Sequence, residues 1–235
     1  MIRIILPDNN PRPLAFFLAL EEWVANHLPP AEYFFSWIVN PTVIIGHNQD
    51  LNAEVNVEYC REHGIDIVRR RSGGGCVYAD RDNIMMSYIC DRTNVTEVFA
   101  HYTSMVASQL QRMGIDAQPT GRNDISVGDR KISGNAFYLM ASRSIVHGTM
   151  LFDTHIEHML NAITPSKAKL ESHQVKSVEA RITMVSHLRP DLTFEQFHDG
   201  LIAGLETGRY LLTPADIAQV IEIEQNYYKP EWINN

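Results

Sequence analysis

The apolar positions of this chain change period along its length, and the change lays out its elements. Residues 2–6 form a short apolar run, the mark of a strand. Past Pro11 and Pro13, Leu14, Phe17, Leu18, Glu21, Val24 and Leu28 recur at helical spacing. They predict a helix over 13–28, with proline in its first turn and Pro29-Pro30 ending it. The aromatic and β-branched runs YFFSWIV (33–39) and TVII (42–45) predict two strands joined at Asn40-Pro41. A polar loop at 46–49, a helix over 55–63 stopped at Gly64, and a strand over 65–68 follow. Residues 83–89 predict another strand. Val95, Val98, Phe99, Tyr102, Val106, Leu110 and Met113 then place a core-facing helix over 93–113, closed by Gly114.

From 115 to 152 the pattern returns to strands: one at 115–118, then three strand-and-turn units with Gly121, Gly128 and Gly134 at the bends. Beyond Asp153 the chain turns helical and loop-rich, with helices near 155–162, 194–208 and 214–228 and a polar segment at 165–177. No repeat, low-complexity tract or linker divides it, so one domain over 1–235 is expected. The fold class is α/β in the α+β sense: a mixed, largely antiparallel sheet flanked by helices.

Composition narrows the ligand. The 235 residues, 45% hydrophobic and 20% charged, read as a globular protein with a sizeable core. A formal charge of −8 argues against broad binding of a phosphate backbone, which needs many cations. The basic residues are instead clustered, Arg69 to Arg71 in one place and Arg122, Arg130 and Lys131 in another, which suits a local anion. No nucleic-acid or membrane partner is expected. Cys60, Cys76 and Cys90 form no CxxC pair and cannot all pair with one another, so a reducing cytoplasm is the expected location. The N-terminal segment lacks the pattern of a signal peptide.

The run RRRSGGGCVYAD, residues 69–80, stands out as chemistry. Basic residues lead into three glycines, after which Val77 and Tyr78 resume a strand pattern. Glycine lets a ligand approach the backbone, and arginine suits phosphate or carboxylate, so an anion-binding loop stands beside the plainer reading of a tight turn. Neither GxxxxGK[ST] nor GxGxxG is present, so no P-loop or dinucleotide fold is indicated. His155 and His158 form HxxH, but HExxH is absent and no cysteine lies nearby, so zinc is not expected.

With GRNDISVGDRKISGNAF (121–137) and HGTMLF (147–152), the glycine run resembles, in order and spacing, the lipoate-protein ligase A family of the biotin/lipoate ligase superfamily. FFLALEEWV, IIGHNQD, KSVEARITMV and YYKPEW carry the likeness over nearly the whole chain. The resemblance implies a class II synthetase-like biotin/lipoate ligase fold and a two-step reaction. ATP, with Mg2+, and lipoic acid give lipoyl-AMP and pyrophosphate; the lipoyl group then passes to a lysine of a carrier. Carriers implied are lipoyl domains of 2-oxoacid dehydrogenase E2 subunits and the glycine cleavage H protein.

The same resemblance assigns residues. Lys131 matches the functional lysine, a cation between the lipoate carboxylate and the α-phosphate. Arg70, Gly75, Cys76, Val77 and Tyr78 match the nucleotide-binding stretch, with Asn123 and Asp124 beside it and Asp124 the candidate magnesium ligand. Trp37, Ser72, Gly74 and His147, with Arg70, Gly75 and Lys131, are the expected lipoate contacts. For Trp37 and His147 packing roles stand beside the binding ones. Arg69 and Arg71 are read as solvated neighbours.

The chain departs from the family pattern at Ala79, where many relatives carry histidine, at His47 and Glu179, where arginine is common, and at Asp82, where glycine is. The small C-terminal accessory domain is also missing from the pattern, so adenylation with the help of a separate partner is an open expectation. Two rivals remain: an ATP-independent lipoyl or octanoyl transferase, for which Cys76 is the candidate nucleophile, and a non-catalytic module that binds lipoate or a carrier. Biotin ligation fits the motifs less well.

Overall fold

A computed structural model describes residues 1–140, 142–163 and 181–234. The polar segment at 165–177 and Glu179 lie outside them. Eleven strands and nine helices are described: β1 (Ile2–Ile5), α1 (Leu14–His27), β2 (Tyr33–Trp37), β3 (Thr42–Ile45), α2 (Leu51–Glu54), α3 (Val57–Glu62), β4 (Asp66–Arg69), β5 (Val77–Ala79), β6 (Asn83–Cys90), α4 (Val95–Arg112), β7 (Ala117–Pro119), β8 (Asp124–Val127), β9 (Arg130–Met140), β10 (Arg143–Leu151), α5 (Ile156–Ala162), α6 (Val185–Leu188), α7 (Phe194–Ala203), β11 (Gly208–Leu211), α8 (Pro214–Glu224) and α9 (Pro230–Ile233).

Eight strands form one sheet in the order β11-β1-β2-β6-β10-β9-β8-β7. β11, β1 and β2 run parallel, and every pairing from β2 to β7 is antiparallel. β6 and β10 are buried along their whole lengths and contribute to the clusters on both faces, although β10 carries Arg143, Ser144, His147 and Thr149. α1 and α8 cover one face and α4 and α7 the other, each over its own apolar cluster. α1 is apolar nearly all round, and every residue from Leu14 to Ala25 is buried, Glu21 and Glu22 included. Local chemistry sets the helix starts: Asn94 caps α4, and Thr193 and Thr213 close capping boxes with Gln196 and Asp216. No helix among the described residues is long and apolar enough to cross a membrane.

The mixed, largely antiparallel sheet follows the sequence pattern, but four details differ. A separate three-stranded sheet, β4-β3-β5, stands apart from the large one. The helix expected over 55–63 runs over Val57–Glu62, and a separate turn, α2, precedes it, the two parted at Val55, whose backbone pairs with Ile163. The helix expected over 194–208 stops at Ala203, and Gly208–Leu211 forms a parallel edge strand on β1, too short and too exposed to show a period. Gly134 lies inside β9 and not at a bend, because what it provides is room for Lys131.

The small sheet explains where the glycine run goes. β3 is the central strand, with β4 on one edge of it and β5 on the other. Residues 70–76 must therefore cross the end of β3. They lie on it through Arg70 N donating to Ile45 O and His47 N donating to Ser72 O, both at 2.9 Å. Gly46 makes this crossing possible, since a Cβ there would stand 2.2 Å from the Gly74 carbonyl oxygen.

Candidate active site

A cavity of about 640 Å³ opens where the glycine loop, α1, β9, β10 and α5 converge. Its lining includes the buried Leu18, Trp37, Ile44, Met85 and His147, the partly exposed Lys131, and Gly134, Asn135 and Gly148. Tyr78, Met159, Leu160, Ile163 and Ile182 line the rest. Of the residues singled out in the sequence, Trp37, Arg70, Gly74, Gly75, Cys76, Val77, Tyr78, Asn123, Lys131 and His147 meet here. Ser72 and Asp124 are not among the lining residues; each acts through a neighbour.

Lys131 is placed by a register shift. Between β8 and β9, Ser126 faces Lys131 while Ile125 faces Ser133, so Ile132 is an extra residue that re-aims the strand. Lys131 Nζ then stands 2.9 Å from Asp124 Oδ1. A Cβ on Gly134 would come within 2.4 Å of Lys131 Cε and Nζ, so glycine there is a requirement of the lysine's path. The pair is partly open to solvent, at 40% and 30% side-chain exposure, so its charge is available to a ligand.

Arg70 braces the loop. It is buried, and its guanidinium donates to Ser72 Oγ at 2.8 Å, Ile44 O at 3.1 Å, Gly73 O at 2.8 Å and Gly75 O at 2.8 Å. Burial lowers its pKa to about 10, which leaves it cationic at neutral pH. Arg69 corrects the sequence reading outright. It is fully buried and donates from Nε and Nη2 to Ile233 O and from Nη1 to the carbonyls of Gly46, His47 and Gln49. Trp232 Nε1 returns a bond to Arg69 O, and Arg71 stacks over Trp232 while pairing with Glu22 at 2.5 Å. The YYKPEW segment thus clamps the outside of the glycine loop.

Sequence reasoning missed a buried polar chain behind the cavity. His147 Nε2 is 2.7 Å from Ser72 Oγ, and His147 Nδ1 is 2.9 Å from Glu21 Oε2. Glu21 also accepts from Ser87 Oγ at 2.5 Å and Tyr138 Oη at 3.2 Å, and Trp37 Nε1 donates to Ser87 Oγ at 2.9 Å. Because Arg70 Nε already donates to Ser72 Oγ, the arrangement that satisfies every group has Ser72 donating to Nε2 and the His147 proton on Nδ1, facing Glu21. This joins the cavity wall to the loop. The signal was present: Glu21 recurs with the inward apolar positions of the first helix.

Cys76 lines the cavity, but burial pushes its thiol up to about 12, against a weaker opposing pull from Arg70. A thiol so placed stays protonated at neutral pH and is a poor nucleophile. His158 accepts or donates to Tyr59 Oη at 2.9 Å, and among the described residues no group of three His, Cys, Asp or Glu side chains is placed to hold a metal ion.

A cavity lined by Leu18, Trp37, Ile44 and Met85 together with the cations Lys131 and Arg70 suits a carboxylic acid carried on an apolar chain. Fold and cavity together describe an α/β protein with a site fit for such an acid. The sequence narrows it: residues 13–206 match the model of the lipoyl protein ligase A/B catalytic domain, and the chain belongs to that family. It is 37% identical over 231 residues to the lipoate-protein ligase LplJ of Bacillus subtilis, covering 94% of this chain and 69% of that protein. It is 36% identical to lipoate-protein ligase 1 of Staphylococcus aureus, covering 95% and 70%. In fold it is similar to the bipartite lipoate-protein ligase of Thermoplasma acidophilum, at a TM-score of 0.86 and 24% identity over 99% of this chain and 96% of that one. A lipoate-protein ligase A solved with ATP bound is similar at 0.83 and 23% over 98% and 97%.

Proposed function

We infer that this chain is a lipoate-protein ligase. The observation that carries the reading is Lys131, held by Asp124, in the wall of a cavity that it shares with the apolar Leu18, Trp37, Ile44 and Met85 and with the braced glycine loop. In the first step a carboxylate oxygen of lipoic acid attacks the α-phosphorus of ATP, the P–O bond to the β-phosphate breaks, and pyrophosphate leaves. Two anions must meet for this. The Lys131 ammonium lowers their repulsion and stabilises the charge that builds on phosphorus, an effect strongest where water is excluded. In the second step a carrier lysine attacks the acyl carbon and AMP leaves.

Each remaining lining group has a part in this reading. Leu18, Ile44, Met85 and Trp37 hold the apolar chain. Gly74 and Gly75 bring backbone against the carboxyl end, and Arg70 keeps that backbone in shape while its charge favours the phosphates. Cys76, Val77, Tyr78 and Asn123 contact the nucleotide. Glu54 is a carboxylate of the cavity lining itself; Asp124, beside Lys131 and just behind the lining, is the candidate carboxylate for magnesium, whose other ligands would come from phosphates and water. Bound there, the cation would neutralise phosphate charge; Asp124 meanwhile holds the Lys131 amine in place. Lipoyl domains, such as the E2 domain studied with the Thermoplasma protein, are the expected carriers, and the glycine cleavage H protein is a second candidate. Free thiols at Cys60, Cys76 and Cys90 suit a reducing cytoplasm.

Pyrophosphate release from ATP, Mg2+ and lipoic acid, with Lys131→Ala as control, tests the reading. Release that needs lipoic acid and falls at least about 100-fold in the variant supports it. The assay is run with the chain alone and with an accessory partner supplied. No release in either, together with carrier modification that needs no ATP, refutes it in favour of a transferase. The raised Cys76 thiol stands against that rival.

A further inference from the structure

A second cavity of about 750 Å³ lies on the other side of the glycine loop, between α4 and the β7–β9 edge of the large sheet. It meets the first at four shared residues, Gly74, Asn123, Asn135 and Ala136. Nothing in the two-step reading above uses it. Its walls are Phe99 and Phe137, with ring centroids 5.8 Å apart, together with Val95, Ala100 and Pro119 and the hydroxyls of Thr96, Thr103 and Ser104. The apolar wall runs on to the outside: Val95 is 41% exposed, and Leu139, two residues along β9 from Phe137, is 52% exposed.

Two observations say what such a groove admits. The first is volume. A cavity of about 640 Å³ is the size one drug-sized ligand fills. With an acyl-adenylate in it, the first cavity has little room for an attacking amine and the protein that bears it, so the amine needs another way to the acyl carbon. The second is charge. In a chain of net charge −8, no Asp or Glu among the described residues lines the groove, and Arg122 is its one charged lining residue among them. A lysine must lose its proton to attack, and a groove without carboxylates does not hold it as an ammonium.

The junction itself is built. Asn123 Nδ2 donates to Asn135 O at 2.6 Å, and Asn135 Nδ2 donates to Asn123 O at 2.7 Å, which locks loop to strand. That bond also fixes the orientation of the Asn135 amide, and its Oδ1, in a side chain 4% exposed, is left without a hydrogen-bond partner. That oxygen packs over Gly148, where a Cβ would stand 1.9 Å from it, so the locked Asn123–Asn135 pair frames the opening between the two cavities and does not itself receive the amine.

We propose that this groove is the acceptor route: the lysine-bearing segment of the carrier lies between α4 and β9, and its amine enters the first cavity past Asn123 and Asn135. The inference rests on the ligase reading and names the face its second step uses. The amine lone pair forms the C–N bond, the acyl C–O bond to phosphate breaks, AMP leaves with that electron pair, and the ammonium proton passes to water.

Ala100→Trp and Ser104→Trp, one turn apart on the exposed side of α4, fill the groove without touching the first cavity. Three rates are measured: pyrophosphate release with lipoic acid, transfer from supplied lipoyl-adenylate to an apo lipoyl domain, and transfer from the same adenylate to hydroxylamine. Each variant is expected to lose at least about tenfold in kcat/KM for the lipoyl domain, while release and hydroxylamine capture stay within about twofold. Unchanged transfer to the lipoyl domain in both variants overturns the proposal, and so does an equal fall in pyrophosphate release, which would place the groove in the first step. If the unsubstituted chain releases no pyrophosphate, alone or with an accessory partner, the adenylation step fails, while transfer from supplied adenylate still decides the groove.

Discussion

Replacing Glu21 by Gln tests whether the buried chain behind the cavity is held by a charged acceptor or by shape alone. Glu21 receives hydrogen bonds from Ser87, Tyr138 and His147. Glutamine keeps the outline but offers one acceptor oxygen and one NH2, so at least one of these donors meets a donor. With the NH2 toward Ser87, that hydroxyl must accept from it while already accepting from Trp37 Nε1, and its own proton is stranded. With the NH2 in place of Oε2, His147 Nδ1 still reaches the remaining oxygen at 3.0 Å, but Tyr138 Oη, which donates to Oε2, must accept instead, and its proton is stranded. Ser87 is fully buried, so water does not rescue it in the first arrangement. An unpaired buried donor costs about 1–3 kcal/mol, and exchanging an ionised acceptor for a neutral one costs about 1 kcal/mol for each remaining bond. The amide is cheaper to bury than the carboxylate, which returns part of this and leaves a net loss of about 2–3 kcal/mol. In a chain of this size each kcal/mol moves Tm by about 2–4 °C. Thermal unfolding followed by circular dichroism should therefore show Glu21→Gln melting roughly 8 °C below the parent. In a double-mutant cycle with His147→Gln the losses should be less than additive, since both break one chain. A Tm within about 2 °C of the parent refutes the argument.

Gly46→Ala should disable the glycine loop, because its Cβ would stand 2.2 Å from a backbone oxygen of Gly74 that has no flexible way to retreat. A displacement of about 1 Å at a reacting group predicts a fall of about 100-fold in kcat/KM for adenylation, and unaltered kinetics would show the crossing to be less tight. Cys76→Ser should keep lipoylation within about threefold. Burial raises the thiol to about 12, so at pH 8 its thiolate fraction is roughly a thousandfold below that of a free cysteine, and iodoacetamide should label it slowly, faster as pH rises. Rapid labelling at pH 7 would contradict this. Arg69→Lys should cost about 2–3 kcal/mol, since a single ammonium has three donors for carbonyls that now receive five bonds from a planar fork. Urea midpoints measure it, and a change below about 0.5 kcal/mol would mean that the C-terminal clamp carries no load.

The sequence alone determined what local periodicity and punctuation can carry. The first helix, β6, α4 and the hairpin-rich middle were legible because their apolar periods are long and their caps strong. The glycine run, the lysine after the β8 turn and the histidine ahead of Gly148 could be named because each residue type suits an anion or an acyl chain. Their meeting in one cavity was a matter of topology. The crossing of residues 70–76 over β3 follows from which strands pair, and pairing is a choice among distant partners that no local pattern specifies. The same is true of Arg69, read as a solvated neighbour: whether an arginine faces water or caps a distant chain end depends on contacts 164 residues away. Gly134 looked like a bend because glycine usually marks one, and only the path of the Lys131 side chain reveals it as clearance. β11 was invisible for a related reason. Four residues on a sheet edge, half exposed, gain their strand conformation from β1 and not from any preference of their own. The tertiary structure also decided that Glu21, one acidic residue on an inward helical face, anchors the polar chain joining the cavity wall to the loop, since a buried carboxylate is tolerable only where its donors converge.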